Sequence, residues 1–302
     1  MDTTTFYHQS VLLQEAVDAL DIKESGIYVD GTFGGGGHTR EILKRLGKGG
    51  KLIVFDHDKD AWKNLPDDER VILVKENFKY LKRFLRLHKV TKVDGILADL
   101  GVSSFQFDTA DRGFSIRFDA ALDMRMDNRL DFTAKEIIQN YPEKKLQDIF
   151  ERYGEVRNAK TLAAAIITGR KRATLNTIED FKSAIDECIK GNPNRYLAQV
   201  FQALRIEVND ELGVLKTFLK QTPECLNTGG RLAIITFHSL EDKLVKNFMK
   251  KGSFEDEPEK DEFGRSLFEN PLKSLKDVLP SQTEIKQNPR SRSARLRIAE
   301  KK

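Results

Sequence analysis

The sequence holds only two cysteines in 302 residues, Cys188 and Cys225, with no C-x-x-C pair and no paired histidines beside them. Such spacing excludes a disulfide framework and argues against a zinc site, so no metal is expected. No stretch approaches the ~18 consecutive apolar residues of a membrane span. Residues 1–8 lack the basic flank and apolar run of a secretory signal. The expectation is a cytoplasmic chain without a membrane partner. No Gly-Lys-Ser/Thr follows the glycines at 34–37, which excludes a P-loop, and neither a G-x-S-x-G elbow nor an internal repeat is present. Charge of one sign is also scarce: 51 Lys plus Arg against 47 Asp plus Glu leave a formal +4. A nucleic-acid partner would therefore meet local basic patches, not a uniformly basic body.

What is present is an α/β alternation. Gly26–Asp30, Lys51–Asp56, Val71–Val74, Val93–Asp99 and Arg231–Phe237 are short apolar runs, three of them closing on aspartate, as buried parallel strands read. Helical patterns at Thr39–Leu46, Tyr80–His88 and Leu240–Lys250 place helices between and after them. From about Phe107 to Arg195 helix-period segments occur without a central strand, at 133–141, 143–152, 161–168 and 177–189. The organisation expected is a sheet domain over 1–107 and 205–302, with an all-helical insertion over 108–204. A long helix from Arg195 carries Leu197, Phe201, Leu204, Val208, Leu212, Leu215 and Leu219 in one stripe, predicted to rejoin the sheet core. Residues 255–280 read as a polar surface excursion. Thr283–Lys286 and Ala294–Ala299 are predicted to pair as a hairpin, Leu296 and Ile298 inward, Arg295 and Arg297 outward.

The densest local signal is Asp30-Gly-Thr-Phe-Gly-Gly-Gly-Gly-His38 between a strand and a helix. Glycines there permit positive φ and close approach of a ligand to the backbone, while the helix start presents free N–H groups. The dinucleotide fingerprint fails because its second glycine falls on Phe33, which counts against a nicotinamide oxidoreductase. The pattern lies closer to the D-x-G-x-G-x-G of methyltransferases. Asp56, twenty residues after Gly36 at a strand end, can accept both ribose hydroxyls of an adenosine; its bland role is to cap the next helix. Asp99 ends another strand at the same rim and can face the adenine or the reacting centre. Phe78 can pack on the adenine or simply in the core. Ser239 and Asp242 read as a helix capping box, leaving His238 as a substrate contact. Basic clusters at Arg170–Arg172 and Arg290–Arg297 suit phosphate contacts or a solvated face equally.

Several long motifs occur in one order: 8–13 (HQSVLL), 30–38, 55–58 (FDHD), 99–108 (DLGVSSFQFD), 112–115, 123–127 (DMRMD), 201–211, 236–242 (TFHSLED) and 288–294. In these the chain resembles, from end to end, the bacterial 16S rRNA (cytosine-N4)-methyltransferases of the RsmH/MraW family. The resemblance implies a class I S-adenosylmethionine-dependent methyltransferase, a Rossmann-like open sheet with an inserted helical domain. Its implied reaction is methylation of a cytidine N4 in the decoding region of 16S rRNA within the small ribosomal subunit, with a homodimer allowed. Family cofactor positions fall on Gly36, Gly37, His38, Asp56, Phe78, Asp99 and Gln106.

Methyl transfer from a sulfonium needs in-line placement of the amine and exclusion of water more than covalent help. Cytosine N4 is a poor nucleophile, so an acceptor for its N–H groups is expected. Many amino-methyltransferases supply one from Asp/Asn-Pro-Pro-Tyr/Phe, but this chain has Asp99-Leu-Gly-Val102. The catalytic acceptor is thus unassigned, with the backbone of Leu100–Ser103 as the expectation. The insertion, through Arg170–Arg172 and 123–127, is expected to shape the RNA site, where the target base must be splayed out. The rival reading is a non-catalytic ribosome-assembly or RNA-binding protein that retains the cofactor fold.

Overall fold

The computed structural model describes residues 10–254 and 269–302. The chain divides into two compact units, one of residues 1–101 with 212–302 and one of 102–211. The edges read from sequence, 107/108 and 204/205, each cut a helix, Ser104–Asp108 and Pro193–Asn209.

The first unit is a sheet covered on both faces. Its strands are β1 (Ile27–Asp30), β2 (Lys51–Phe55), β3 (Val71–Val74), β4 (Val93–Asp99), β5 (Leu226–Thr236), β6 (Leu272–Ser274) and β7 (Arg295–Lys301). The order is β3-β2-β1-β4-β5-β7-β6, with β7 antiparallel to both neighbours and the β3 to β5 pairs all parallel. Alternation along each strand divides the core in two. Val29, Ile53, Phe55, Ile96, Ala98, Leu232 and Ile234 face one side with α3 (Leu81–Leu87), α10 (Glu211–Cys225) and α11 (Ser239–Lys251). Tyr28, Leu52, Val54, Leu97, Ala233, Ile235 and Leu296 face the other with α1 (Leu13–Ala19) and α2 (Gly37–Arg45). Parallel strands buried on both faces are continuous apolar runs, which is why they stand out in the sequence.

The second unit contains α4 (Ser104–Asp108), α5 (Ala134–Asn140), α6 (Glu143–Gly154), α7 (Ala159–Arg172), α8 (Ile178–Ile185) and α9 (Pro193–Asn209). Its own core includes Ile137, Leu146, Phe150, Leu162, Ile166, Phe181, Val200 and Leu204. The segment 123–127 is pinned inside this unit. Asn209 donates to Met124 O at 2.8 Å and accepts from Met126 N at 2.7 Å, while buried Arg112 donates to Arg125 O and Met126 O. Arg125 in turn forks onto Asp123.

Four expectations are corrected. The single stripe from Arg195 is two helices: Asp210 adopts φ 47 and ends α9, and α10 begins at Glu211. Leu197, Phe201, Leu204 and Val208 therefore belong to the helical unit's core, and only Leu215 and Leu219 to the sheet's. The hairpin at 283–286 is helix α12 (Gln282–Gln287), started by the Ser281 hydroxyl accepting from Glu284 N. β7 pairs instead with β5 and β6, and Val278 bridges Leu296, so the excursion over 255–280 re-enters the sheet; 255–268 lie outside the described residues. In place of a helix start at an N-cap Ser239, His238 is the N-cap of α11, and Asp242 accepts both Nε and Nη2 of Arg297 at 2.8 Å. Arg297 faces away from Leu296 as expected but is buried, 9% exposed, because α11 covers that face. Arg295 pairs with Asp277.

The cysteines lie apart, Cys188 buried in the helical core and Cys225 in the sheet core, and burial pushes the Cys225 thiol up to about 11. Among the described residues no helix is long and apolar enough to cross a membrane.

Truncating either partner of the fork between Arg297 and Asp242 leaves a charge without its bidentate mate in a covered place. Arg297→Ala and Asp242→Ala should each lower unfolding free energy by about 2–3 kcal/mol, the scale of charged hydrogen bonds. In urea titrations the double variant should cost clearly less than the two singles summed.

Candidate active site

The glycine loop is built on one buried acid. Asp30, 1% exposed at the carboxyl end of β1, accepts from Thr32 N at 3.1 Å and from the Thr39 hydroxyl at 2.7 Å. These bonds hook both ends of the loop, since Thr39 already lies in α2. Thr32 extends the link to β4, its hydroxyl accepting from Asp99 N at 2.6 Å. Gly36 takes φ 75 as the N-cap of α2, a conformation that an L side chain would strain. At Gly37 a Cβ would come within 2.0 Å of Ser10 Oγ, so only hydrogen fits. Gly35 has nothing within 4 Å of a notional Cβ: the loop's outer side is open.

Around this loop the strand ends gather acids. Asp56, just past β2, accepts from Gly34 N and Asp58 N, both at 2.8 Å, and its own carbonyl accepts from the Trp62 indole at 2.9 Å. Burial pushes its carboxyl up to about 7, against the lowering effect of the Asp58 and Gly34 N–H groups. Asp99 at the end of β4 is pushed well above the usual carboxylate range by burial, then by the negative neighbours Asp30 and Glu241. Its Oδ2 lies 3.9 Å from His38 Nδ1, and its Oδ1 is buried with no hydrogen-bond partner. His38, 5% exposed, has Nε2 3.1 Å from Val11 O. Burial lowers its affinity for a proton despite the Asp30 carboxyl nearby, so the ring between these acids is neutral.

The residues named from sequence sort as follows. Gly36, Gly37, His38, Asp56 and Asp99 stand at the carboxyl rim of β1, β2 and β4, where the strand order reverses and a crevice opens in folds of this kind. Phe78 begins a single 3-10 turn after β3, its Cβ 3.5 Å from where a Gly31 Cβ would be, and its ring packs edge-on against Phe218 at 4.9 Å. Gln106 belongs to the helical unit, where its Oε1 accepts from Ser103 N at 3.1 Å in a capping box that starts α4. That Ser-x-x-Gln spacing was a readable signal for a fixed glutamine. Sequence reasoning missed Asp30, Thr32 and Thr39 as the loop's framework, although all three flank the glycines.

The basic clusters are partly consumed by the fold. Arg170 Nη1 donates to Ile138 O at 3.0 Å and Tyr141 O at 2.8 Å, closing the end of α5, while Lys171 and Arg172 are exposed. Of 290–297, Arg295 and Arg297 are paired with aspartates.

A strand-end rim whose carboxyls resist ionisation carries an electrostatic cost that a cationic ligand would relieve. It also fixes a pH dependence. Asp56 has a folded value near 7, far above its unfolded value of about 4. The folded state therefore holds the proton more tightly, and this carboxyl erodes stability as pH rises from about 4 to about 7. Asp56→Asn removes that loss. Its Tm relative to the parent should climb between pH 4 and pH 7 and level off above, as calorimetry across that range will read.

Comparison with known proteins follows the same lines. The chain is 57% identical over 293 residues to ribosomal RNA small subunit methyltransferase H of Flavobacterium psychrophilum, covering 96% of this chain and 100% of that protein. It is 52% identical over 303 residues to the protein of that name from Flavobacterium johnsoniae, covering 100% of both. The one from Cytophaga hutchinsonii is 54% identical over 299 residues, covering 98% and 99%. The family model described as the MraW methylase family matches residues 5–302, and the chain belongs to that family.

Proposed function

We propose that the protein transfers a methyl group from S-adenosylmethionine to small-subunit ribosomal RNA, at the N4 amine of a cytidine in the decoding region. The observation that carries the cofactor half is the acid-rimmed glycine loop. Asp99 Oδ1 is a buried orphan, Asp56 is destabilised as an anion, and the loop at Gly35 is open. S-adenosylmethionine supplies an activated methyl on a positively charged sulfur. The relatives carry the RNA half, being named ribosomal RNA small subunit methyltransferases. The parallel sheet with a reversed β7 and an inserted helical unit is the class I methyltransferase arrangement.

In this reading Gly36, Gly37 and His38 border the cofactor at the start of α2, and Asp56 accepts the ribose hydroxyls with the lone pairs not taken by Gly34 and Asp58. Asp99 meets a cofactor donor with its free oxygen, and Phe78 offers a ring edge at the adenine. Gln106 is assigned by its family position and by the fixed geometry of its capping box. The loop backbone at Leu100 is partly committed, since Leu100 N donates to Ile235 O at 3.0 Å. RNA phosphates are assigned to exposed Lys171 and Arg172, with Arg170 left to its structural bonds.

The decisive experiment is radiolabelled methyl transfer to small subunits, and separately to naked 16S rRNA, from cells lacking this protein, followed by nucleoside mass spectrometry. N4-methylated cytidine is expected; cofactor binding without transfer would favour the assembly-protein reading. Because hydroxyl donors favour ionised Asp56, cofactor binding should release a proton near pH 7, visible as a buffer-dependent enthalpy. Asp56→Ala should abolish that release and weaken binding by roughly ten- to a hundredfold, about 1.5–3 kcal/mol. A change below threefold refutes the ribose role. Lys171→Ala with Arg172→Ala should flatten the salt slope of RNA binding by roughly 1–2 units and leave cofactor affinity unchanged.

A further inference from the structure

We propose that His238, held by Glu241, is the catalytic acceptor for the proton of the target amine, an inference that rests on the methyl-transfer reading above. The motif Thr236–Asp242 leaves β5 and enters α11, with His238 as the N-cap in extended geometry, φ −139 and ψ 162. Its side chain is 9% exposed and Glu241's 3%, with Nε2 3.1 Å from Glu241 Oε1. Glu241 is anchored through its other oxygen, which accepts from Phe237 N at 3.0 Å. Both ring nitrogens of His238 are buried without a well-formed hydrogen bond, Nε2 lying against the Glu241 carboxylate. A core histidine with no further task satisfies both nitrogens, because an orphaned buried acceptor costs about 1–3 kcal/mol. Here neither nitrogen is satisfied, and Nε2 lies beside a carboxylate that can take its hydrogen.

Position favours a role in the reaction. Ile235 is the register partner of Asp99, so His238 lies three residues beyond it, at the mouth of β5 beside the mouth of β4. Glu241 is close enough to Asp99 for its charge to raise that carboxyl, and Phe237 lies 3.7 Å from a notional Cβ on Gly101. The dyad thus adjoins the segment where Asp/Asn-Pro-Pro-Tyr/Phe would hold an amine in other enzymes, which this chain lacks.

With the Nε2 hydrogen directed at the Glu241 carboxylate, the Nδ1 lone pair is left as an acceptor. One amine N–H directed at Nδ1 turns the nitrogen's own lone pair out of the ring plane and toward the methyl carbon. The nitrogen–carbon bond forms as the carbon–sulfur bond breaks, its electron pair remaining on sulfur. The amine proton passes to Nδ1, and the imidazolium so formed is balanced by Glu241, a positioning residue.

The tautomer is tested first, without any reaction, by nitrogen-15 NMR of histidine in the cofactor-free protein. The Nε2–H form should dominate for His238 and be lost in Glu241→Gln; an Nδ1–H form overturns the proposal. Next, His238→Ala should lower kcat by about a hundredfold or more, the range of general-base effects. Its affinities for S-adenosylmethionine and RNA should stay within threefold of the parent, and added imidazole should restore part of kcat. A kcat within threefold of the parent, or a loss that follows RNA affinity and resists imidazole, overturns it. Failure of the parent protein to make N4-methylcytidine would count against the broader reading instead, with the tautomer result unaffected.

Discussion

Everything at the carboxyl rim depends on the burial of Asp30. An isolated carboxylate there would be prohibitively costly, so it is held by Thr32 N and the Thr39 hydroxyl, and burial raises its hold on a proton. These two bonds convert a flexible glycine run into a loop of one shape, tied to β4 through Thr32 and Asp99 N. Glycine supplies permission and Asp30 supplies the constraint. Without that hook, Gly36 at φ 75 and Gly37 against Ser10 would be freedoms that folding must remove at entropic cost.

The same rim shows how a binding site can be made of discomfort. Asp56 and Asp99 resist ionisation in a buried place, Asp99 the more for its negative neighbours Asp30 and Glu241, and the His38 ring, its proton affinity lowered by burial, offers little compensating charge. Asp99 Oδ1 and both ring nitrogens of His238 are buried there without a hydrogen-bond partner. In the reading proposed here, a ligand with a positive sulfur, an ammonium and hydroxyl donors meets those needs together.

Arginine is spent differently in the two units. Arg112, Arg125 and Arg170 tie loop and helix-end carbonyls or a neighbouring aspartate inside the helical unit, and Arg297 forks onto Asp242 in the sheet unit. Buried or bidentate guanidinium groups bring order to segments that lack regular hydrogen bonding. The phosphate-facing role proposed above is therefore left to exposed groups such as Lys171 and Arg172, a smaller set than the charge clusters suggest.

The sequence alone determined the parallel strands, the glycine loop and the acids that end β1, β2 and β4, because buried strands are unbroken apolar runs and loops of this kind need glycine. It also carried the family motifs through which Gln106 was assigned. Tertiary structure decided what depends on distant partners. β7 took β5 and β6 in place of a local hairpin, since antiparallel pairing is chosen by which edge is free. The long apolar stripe broke at Asp210 because its two halves serve two cores, a division that helical periodicity does not encode. Asp242 left the helix start for Arg297, 55 residues away. The sequence offered His238 as a substrate contact, but its unsatisfied ring nitrogens could be seen only in the fold, for the absence of a hydrogen bond is a property of the folded surroundings and not of any residue's name.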